Sequence, residues 1–152
     1  MIACEGTLAD GKLGQATLGG LRVLLADDHK AMLERGKGLL DSEFDVVGAV
    51  DNGQALVDAA KELDPNILVV DISMPVLNGI DAVRQIRKSG GKARVVFLTV
   101  HEDPDIVPVC FDVGALGFVV KSRLASDLIP AIRLALANHT FVSPTLPWEG
   151  RP

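Results

Sequence analysis

The sequence predicts a doubly wound α/β sandwich built from five strand–helix units, (βα)₅. Five short apolar runs, Leu21–Ala26, Phe44–Val50, Ile67–Val70, Val95–Leu98 and Gly117–Val120, are rich in Val and Leu. Several are nearly continuous rather than alternating, as strands covered on both faces are. The longer stretches between them carry helix start and stop signals, and right-handed crossovers then place helices on both faces of a parallel sheet.

Taken in order, the first run ends at Asp27 and Asp28. The second is followed by Asp51 and Asn52, side chains that cap a helix predicted to run through Leu63, where Pro65 stops it. The third run ends at Asp71, and the helix after it runs through Ile80, Val83 and Ile86 and closes at Gly90–Gly91. The fourth ends at Thr99. Asp103–Pro104 reads as a cap with proline in the first turn, and Gly114 as the stop. Between them Ile106, Val109, Cys110 and Val113 follow the spacing of a buried stripe, leaving Val107, Pro108 and Phe111 for an apolar outer side that suits a partner. The fifth run ends at Lys121, and Leu128, Ile132 and Leu136 line a last helix. Pro130 lies inside that pattern and is expected to distort or delay its N-terminal turn.

Composition limits the function classes. At 152 residues, 48% hydrophobic and 23% charged, the chain is long enough for one domain with a core that needs no disulfide or metal staple. Fifteen basic against twenty acidic side chains give a formal charge of −5, the wrong sign for coating nucleic acid. No apolar run approaches the ~20 residues of a membrane span. The first twenty residues show no secretory pattern, and Cys4 and Cys110 make no disulfide framework, so a cytoplasmic protein with reduced thiols is expected. Residues 1–20 read as a flexible leader, 21–142 as the folded domain and 143–152, with three prolines, as a tail or the start of a linker. The basic residues Arg84, Arg87, Lys88, Lys92 and Arg94 fall at or just past a helix C-terminus, where the dipole favours cations.

Each run stops at a polar residue, and in open α/β sheets ligand sites lie at the carboxyl ends of the strands. A lone Asp at a strand end is ordinarily a terminus or a cap. Asp27, Asp28, Asp71, Thr99 and Lys121 together, all at matching ends, point instead to one crevice. Carboxylates so close repel unless a cation neutralises them. Oxygen-only ligands of this kind suit Mg²⁺ with phosphate oxygens. A carboxylate left free to attack is a nucleophile for phosphoryl transfer, with Lys121 and the Thr99 hydroxyl placed to stabilise the transferred group.

LLADDH, VVDISMPVLNG, FLT and GFVVK, in this order and at these spacings, resemble the receiver domain of two-component response regulators. The TVHED after the fourth strand is most similar to the NarL/LuxR-type subfamily. The resemblance covers about residues 21–142. It implies a flavodoxin-like sandwich with a five-stranded parallel sheet of order 2-1-3-4-5. It implies that Asp71 is the phosphoacceptor, that Asp28 binds Mg²⁺ directly and Asp27 mainly through water, and that the Ser73 backbone carbonyl completes the metal site. Thr99 matches the switch hydroxyl, Lys121 the phosphate-pairing lysine and Phe118 the switch aromatic, which read plainly is a core residue. Ser73 and His101 flank the path of the hydrolytic water and are expected to tune the lifetime of the phosphorylated state. Ser122 stands where many receivers carry a proline with a cis bond, which for serine would cost roughly 2.5–4 kcal/mol.

The implied partners are a sensor histidine kinase or phosphotransfer protein and a second copy through the face of the fourth helix, fifth strand and fifth helix, with no direct nucleic-acid contact and no membrane. Regulators of this subfamily usually carry a C-terminal helix-turn-helix. Too few residues follow Lys121 for one, so the chain reads as a stand-alone receiver or as a fragment of a DNA-binding transcriptional regulator. Apart from its own Mg²⁺-dependent phosphorylation and dephosphorylation, it is not expected to be an enzyme. An aspartate-nucleophile phosphatase would have a second Asp where Ser73 stands, and no phosphate-loop motif is present.

Overall fold

The computed structural model describes residues 20–100 and 103–144. Its elements follow the expected alternation: β1 Arg22–Ala26, α1 Lys30–Leu40, β2 Asp45–Val50, α2 Gly53–Leu63, β3 Ile67–Asp71, α3 Gly79–Lys88, β4 Arg94–Thr99, α4 Ile106–Asp112, β5 Gly117–Val120, α5 Leu124–Leu136 and β6 Phe141–Val142. All strand pairs are parallel, in the order β2-β1-β3-β4-β5-β6. The predicted order 2-1-3-4-5 is present, with a sixth strand added at the β5 edge. Two residues are too few to show a period, which is why β6 left no mark in the sequence.

Near-continuous apolar strands arise because successive side chains point to opposite faces and both faces are covered. Leu24, Ala26, Leu68, Val70 and Phe97 pack with Leu56 of α2, Val83 of α3 and Cys110 of α4. Val23, Leu25, Val69, Val96 and Leu98 pack on the other face with Leu40 of α1 and Leu128 and Ile132 of α5. Phe97 and Phe118 are the bulkiest fully buried side chains.

The helix ends are set by local chemistry. Asn52 Oδ1 accepts from the Ala55 N–H at 2.9 Å, the predicted cap of α2, and Asn78 caps α3 in the same way through the Asp81 N–H at 2.9 Å. Gly90 and Gly114, at φ +90° and +93°, follow the ends of α3 and α4. Of the basic run, Arg84 pairs with Asp81, Arg87 donates to the Gly91 carbonyl and Arg94 donates to Asn138, so these cations serve local structure.

Two expectations change. Asp103 is not the cap of the fourth helix, because α4 begins at Ile106 and Asp103 Oδ1 instead accepts from the Asp105 N–H at 2.9 Å. With that start, Val107 and Cys110 form the buried face, so Val107 faces the core and not a partner. The last helix begins at Leu124, after a 3-10 turn over Lys121–Arg123, and runs through Pro130 without a break. Pro130 is on the exposed side and lies beyond the first turn.

The crossover from β3 to α3 requires Gly79. A Cβ there would sit 2.3 Å from the Asp71 carbonyl oxygen, and the Gly79 N–H donates to the Ile72 carbonyl at 2.8 Å. Gly79→Ala is therefore expected to lower stability by about 1–3 kcal/mol through overpacking. The urea midpoint of the variant measures this, and an unchanged midpoint would show that the loop has room to move.

Candidate functional site

The parallel order brings the carboxyl ends of β1, β3, β4 and β5 side by side. Asp27 and Asp28 follow β1, Asp71 ends β3, Thr99 ends β4 and Lys121 follows β5. Register aligns them: Asp71 faces Leu98 across β3 and β4, and Thr99 faces Val120 across β4 and β5. The residues read as one crevice from sequence are thus brought together.

The electrostatic centre is Lys121. Its side chain is 6% exposed, and Nζ lies 2.7 Å from Asp27 Oδ2 and 3.3 Å from Asp71 Oδ2. These two inner oxygens have no well-directed hydrogen bond among the described residues, so they are held by charge. Asp27 Oδ1 turns the other way and accepts from the His29 N–H at 2.9 Å. Asp28 is more open, with a side chain 32% exposed. Asp71 Oδ1 accepts from the Ser73 N–H at 3.3 Å.

Burial and the neighbouring Asp27 charge push the Asp71 carboxyl up to about 6, against the attraction of Lys121. Ligand atoms of Asp27, Asp28, His29 and Asp71 all lie within 4.8 Å of one another. Three carboxylates facing one ammonium leave excess negative charge, and hard carboxylate oxygens beside phosphate fit Mg²⁺. Asp28 and Asp71 would hold such an ion, with Asp27 tied to Lys121 in the next layer out. Ser73 follows on the loop that lines an open groove of about 600 Å³ together with Asp28, Ile72, Met74, Ile80 and Ile106.

Val76 lies on that loop at φ +70° and is 81% exposed, an unfavourable backbone for a β-branched residue. Thr99 is buried at the site. Phe118 is fully buried in the core beside Phe97, its partner across the strands. Cys110 is a core thiol that burial pushes up to about 12. His101 and Cys4 lie outside the described residues, as do the expected leader apart from Gly20 and the expected tail beyond Pro144.

Sequence reasoning left two features without a role. His29 Nδ1 lies 3.3 Å from Asp27 Oδ1 and 3.1 Å from Asp28 Oδ1. Its place directly after the acidic pair was the available signal. Ser143, first residue of the expected tail, is fully buried and bonded to Asp127. Contacts between such distant positions leave no trace in a single sequence.

A family model described as the response regulator receiver domain matches residues 23–133. The chain is 31% identical over 129 residues to the response regulator GacA of Pseudomonas viridiflava, covering 83% of this chain and 60% of that protein. It is 28% identical to the transcriptional regulatory protein DegU of Brevibacillus brevis, covering 82% and 53% respectively. It thus spans less than two thirds of the length of these relatives. A crystal structure of a LuxR-family two-component response regulator from Aurantimonas sp. SI85-9A1 superposes with a TM-score of 0.78 at 31% identity, covering 82% of this chain and 91% of that one.

Because the folded pKa of Asp71 lies above its ordinary 3.8, ionising it costs folding free energy. That cost is absent below about pH 4 and complete above about pH 6. In metal-free buffer Asp71→Asn should therefore gain stability over wild type as pH rises through this window, by roughly 1–3 kcal/mol at its plateau. Urea titrations at a series of pH values check this, and a pH-independent difference would contradict it.

Proposed function

Since the chain belongs to the receiver-domain family of response regulators, we propose that Asp71 accepts a phosphoryl group from a histidine kinase or phosphotransfer protein. The observation that carries the reading is the buried Lys121 ammonium shared between the carboxylates of Asp27 and Asp71. One Asp71 oxygen attacks phosphorus, an O–P bond forms, and the bond from phosphorus to the donor's nitrogen breaks, leaving an acyl phosphate. Asp28, Asp71 and the Ser73 carbonyl would hold a Mg²⁺ ion, which when bound would supply charge neutralisation of the transferred group. Asp27 contributes mainly through water and by holding Lys121.

Once Asp71 carries the added charge, Lys121 pairs with the phosphoryl oxygens and the Thr99 hydroxyl moves to bond one of them. Thr99 and Lys121 flank Val120, so both movements reach β5 and the face of α4, β5 and α5. Phe118, buried on β5, adjusts by packing, since a phenylalanine has no hydroxyl to anchor an outward position. The face then favours a different partner or a second copy of the chain, a population shift between two states. Ser73 and His101 tune how long the acyl phosphate survives.

A second reading is favoured by the relatives. DegU is a transcriptional regulatory protein, and this chain spans 53% of it. In that reading the same switch controls a DNA-binding segment outside this chain, and the length of the complete reading frame separates the two.

Incubation with a small acyl phosphate and Mg²⁺ should add one phosphoryl mass to the intact protein and none to Asp71→Asn. Lys121→Ala should form the adduct on the order of 100-fold more slowly. Equal adduct on Asp71→Asn would overturn the assignment. His101→Ala should change the half-life of the adduct, read from its decay by mass.

A further inference from the structure

A second buried polar cluster lies outside the acidic crevice, on the β5–α5 side of the fold. Ser143 is fully buried at the end of β6. Its backbone N–H donates to the Phe118 carbonyl at 3.0 Å, extending the β5–β6 ladder. In a regular parallel ladder the next acceptor, for the Val120 N–H, would be the Ser143 carbonyl. The Ser143 hydroxyl takes that place, accepting from Val120 at 3.0 Å, and donates in turn to Asp127 Oδ2 at 2.8 Å. Asp127 is 4% exposed and is also bonded by Arg123 Nε at 2.8 Å and by Ser126 Oγ at 3.0 Å. Burial would raise the Asp127 carboxyl, but the bonds from Arg123, Ser143 and Ser126 hold it below the usual carboxylate range. One hydroxyl therefore ties the last residue of β5 to the first turn of α5 and to the end of β6.

Val120 is where this cluster meets the crevice. It faces Thr99 across β4 and β5, and Lys121 follows it in the chain. We propose that Ser143 is a positioning residue for Lys121, and that the Ser143 hydroxyl carries the change at Asp71 into β6. This rests on the reading of Asp71 as phosphoacceptor. An acyl phosphate on Asp71 holds the Lys121 ammonium more firmly, which steadies the Val120 N–H and the hydroxyl that accepts from it. Without that hydroxyl, Val120 and Asp127 each lose a buried partner, while the main-chain bonds of β6 and the packing of Phe141 and Val142 remain.

The test is hydrogen exchange read by mass over residues 137–144, in protein with and without the acyl-phosphate adduct, for wild type, Ser143→Ala and Ser143→Thr. In wild type the adduct should slow exchange of this segment about fivefold, the size of one net hydrogen bond. In Ser143→Ala the segment should exchange faster by a similar factor before modification, and the slowing on modification should vanish. Ser143→Thr keeps the hydroxyl and should restore both behaviours. A general loss of structure in Ser143→Ala would also speed exchange in β1 and β3, which are to stay as in wild type. Full adduct in wild type with unchanged exchange over 137–144, or slowing that persists in Ser143→Ala, would overturn the inference and leave the phosphoacceptor reading intact. Absence of adduct on wild type would overturn both.

Discussion

Lys121 holds its ammonium between two buried carboxylates, 2.7 Å from Asp27 and 3.3 Å from Asp71. Removing an ion from water costs several kcal/mol, so a buried charge persists only where partners offset the loss. Here the lysine offsets two acids at once, and a third acid, Asp28, keeps about a third of its side chain open to solvent. The cluster remains negatively charged after that pairing. Burial first, and then the Asp27 charge, keep the Asp71 carboxyl higher than usual, and the excess negative charge calls for a further cation at the open side. The ammonium anchors the ends of three strands in one charge network, so any group added to Asp71 changes the balance at all of them.

The sheet explains why these residues meet. Parallel strands joined by crossovers all present their carboxyl ends on one edge, and β1 and β3 are neighbours at the point where the strand order reverses. Leu98 faces Asp71 and Thr99 faces Val120, which sets the hydroxyl and the lysine on the strands beyond Asp71. Gly79 allows α3 to pass close to the Asp71 carbonyl, so Asp71 is held from behind by backbone and from the side by the charge of Lys121. The apolar layers on the two faces pack the strands that carry these residues.

On the far side of β5 the same economy recurs with different chemistry. Asp127 is buried without a lysine, and hydrogen bonds from Arg123, Ser126 and Ser143 stabilise its charge. Val120 lies between the two networks. Its neighbours on either side, Thr99 and Ser143, are both hydroxyl residues buried at strand ends. Among the described residues the β5 edge is closed by β6 and is not left as an open edge, so β6 adjoins the face of α4, β5 and α5.

Much of this was legible in the amino-acid order. Apolar runs covered on both faces, caps such as Asn52 and stops such as Gly90 are encoded within a few residues of where they act, and they determined the five strand–helix units. The polar residues at the ends of the first, third, fourth and fifth runs also determined the crevice, because parallel topology brings those ends to one edge of the sheet. Tertiary structure decided what depends on distant partners. It set the start of α4 at Ile106 and turned Val107 inward. It paired Lys121 with Asp27 as well as Asp71, and it recruited Ser143 into the core through Asp127 and Val120. The division has one physical cause: propensity and periodicity act over a helical turn or a strand, whereas burial and ion pairing are settled by whichever side chains the completed fold brings within a few ångströms.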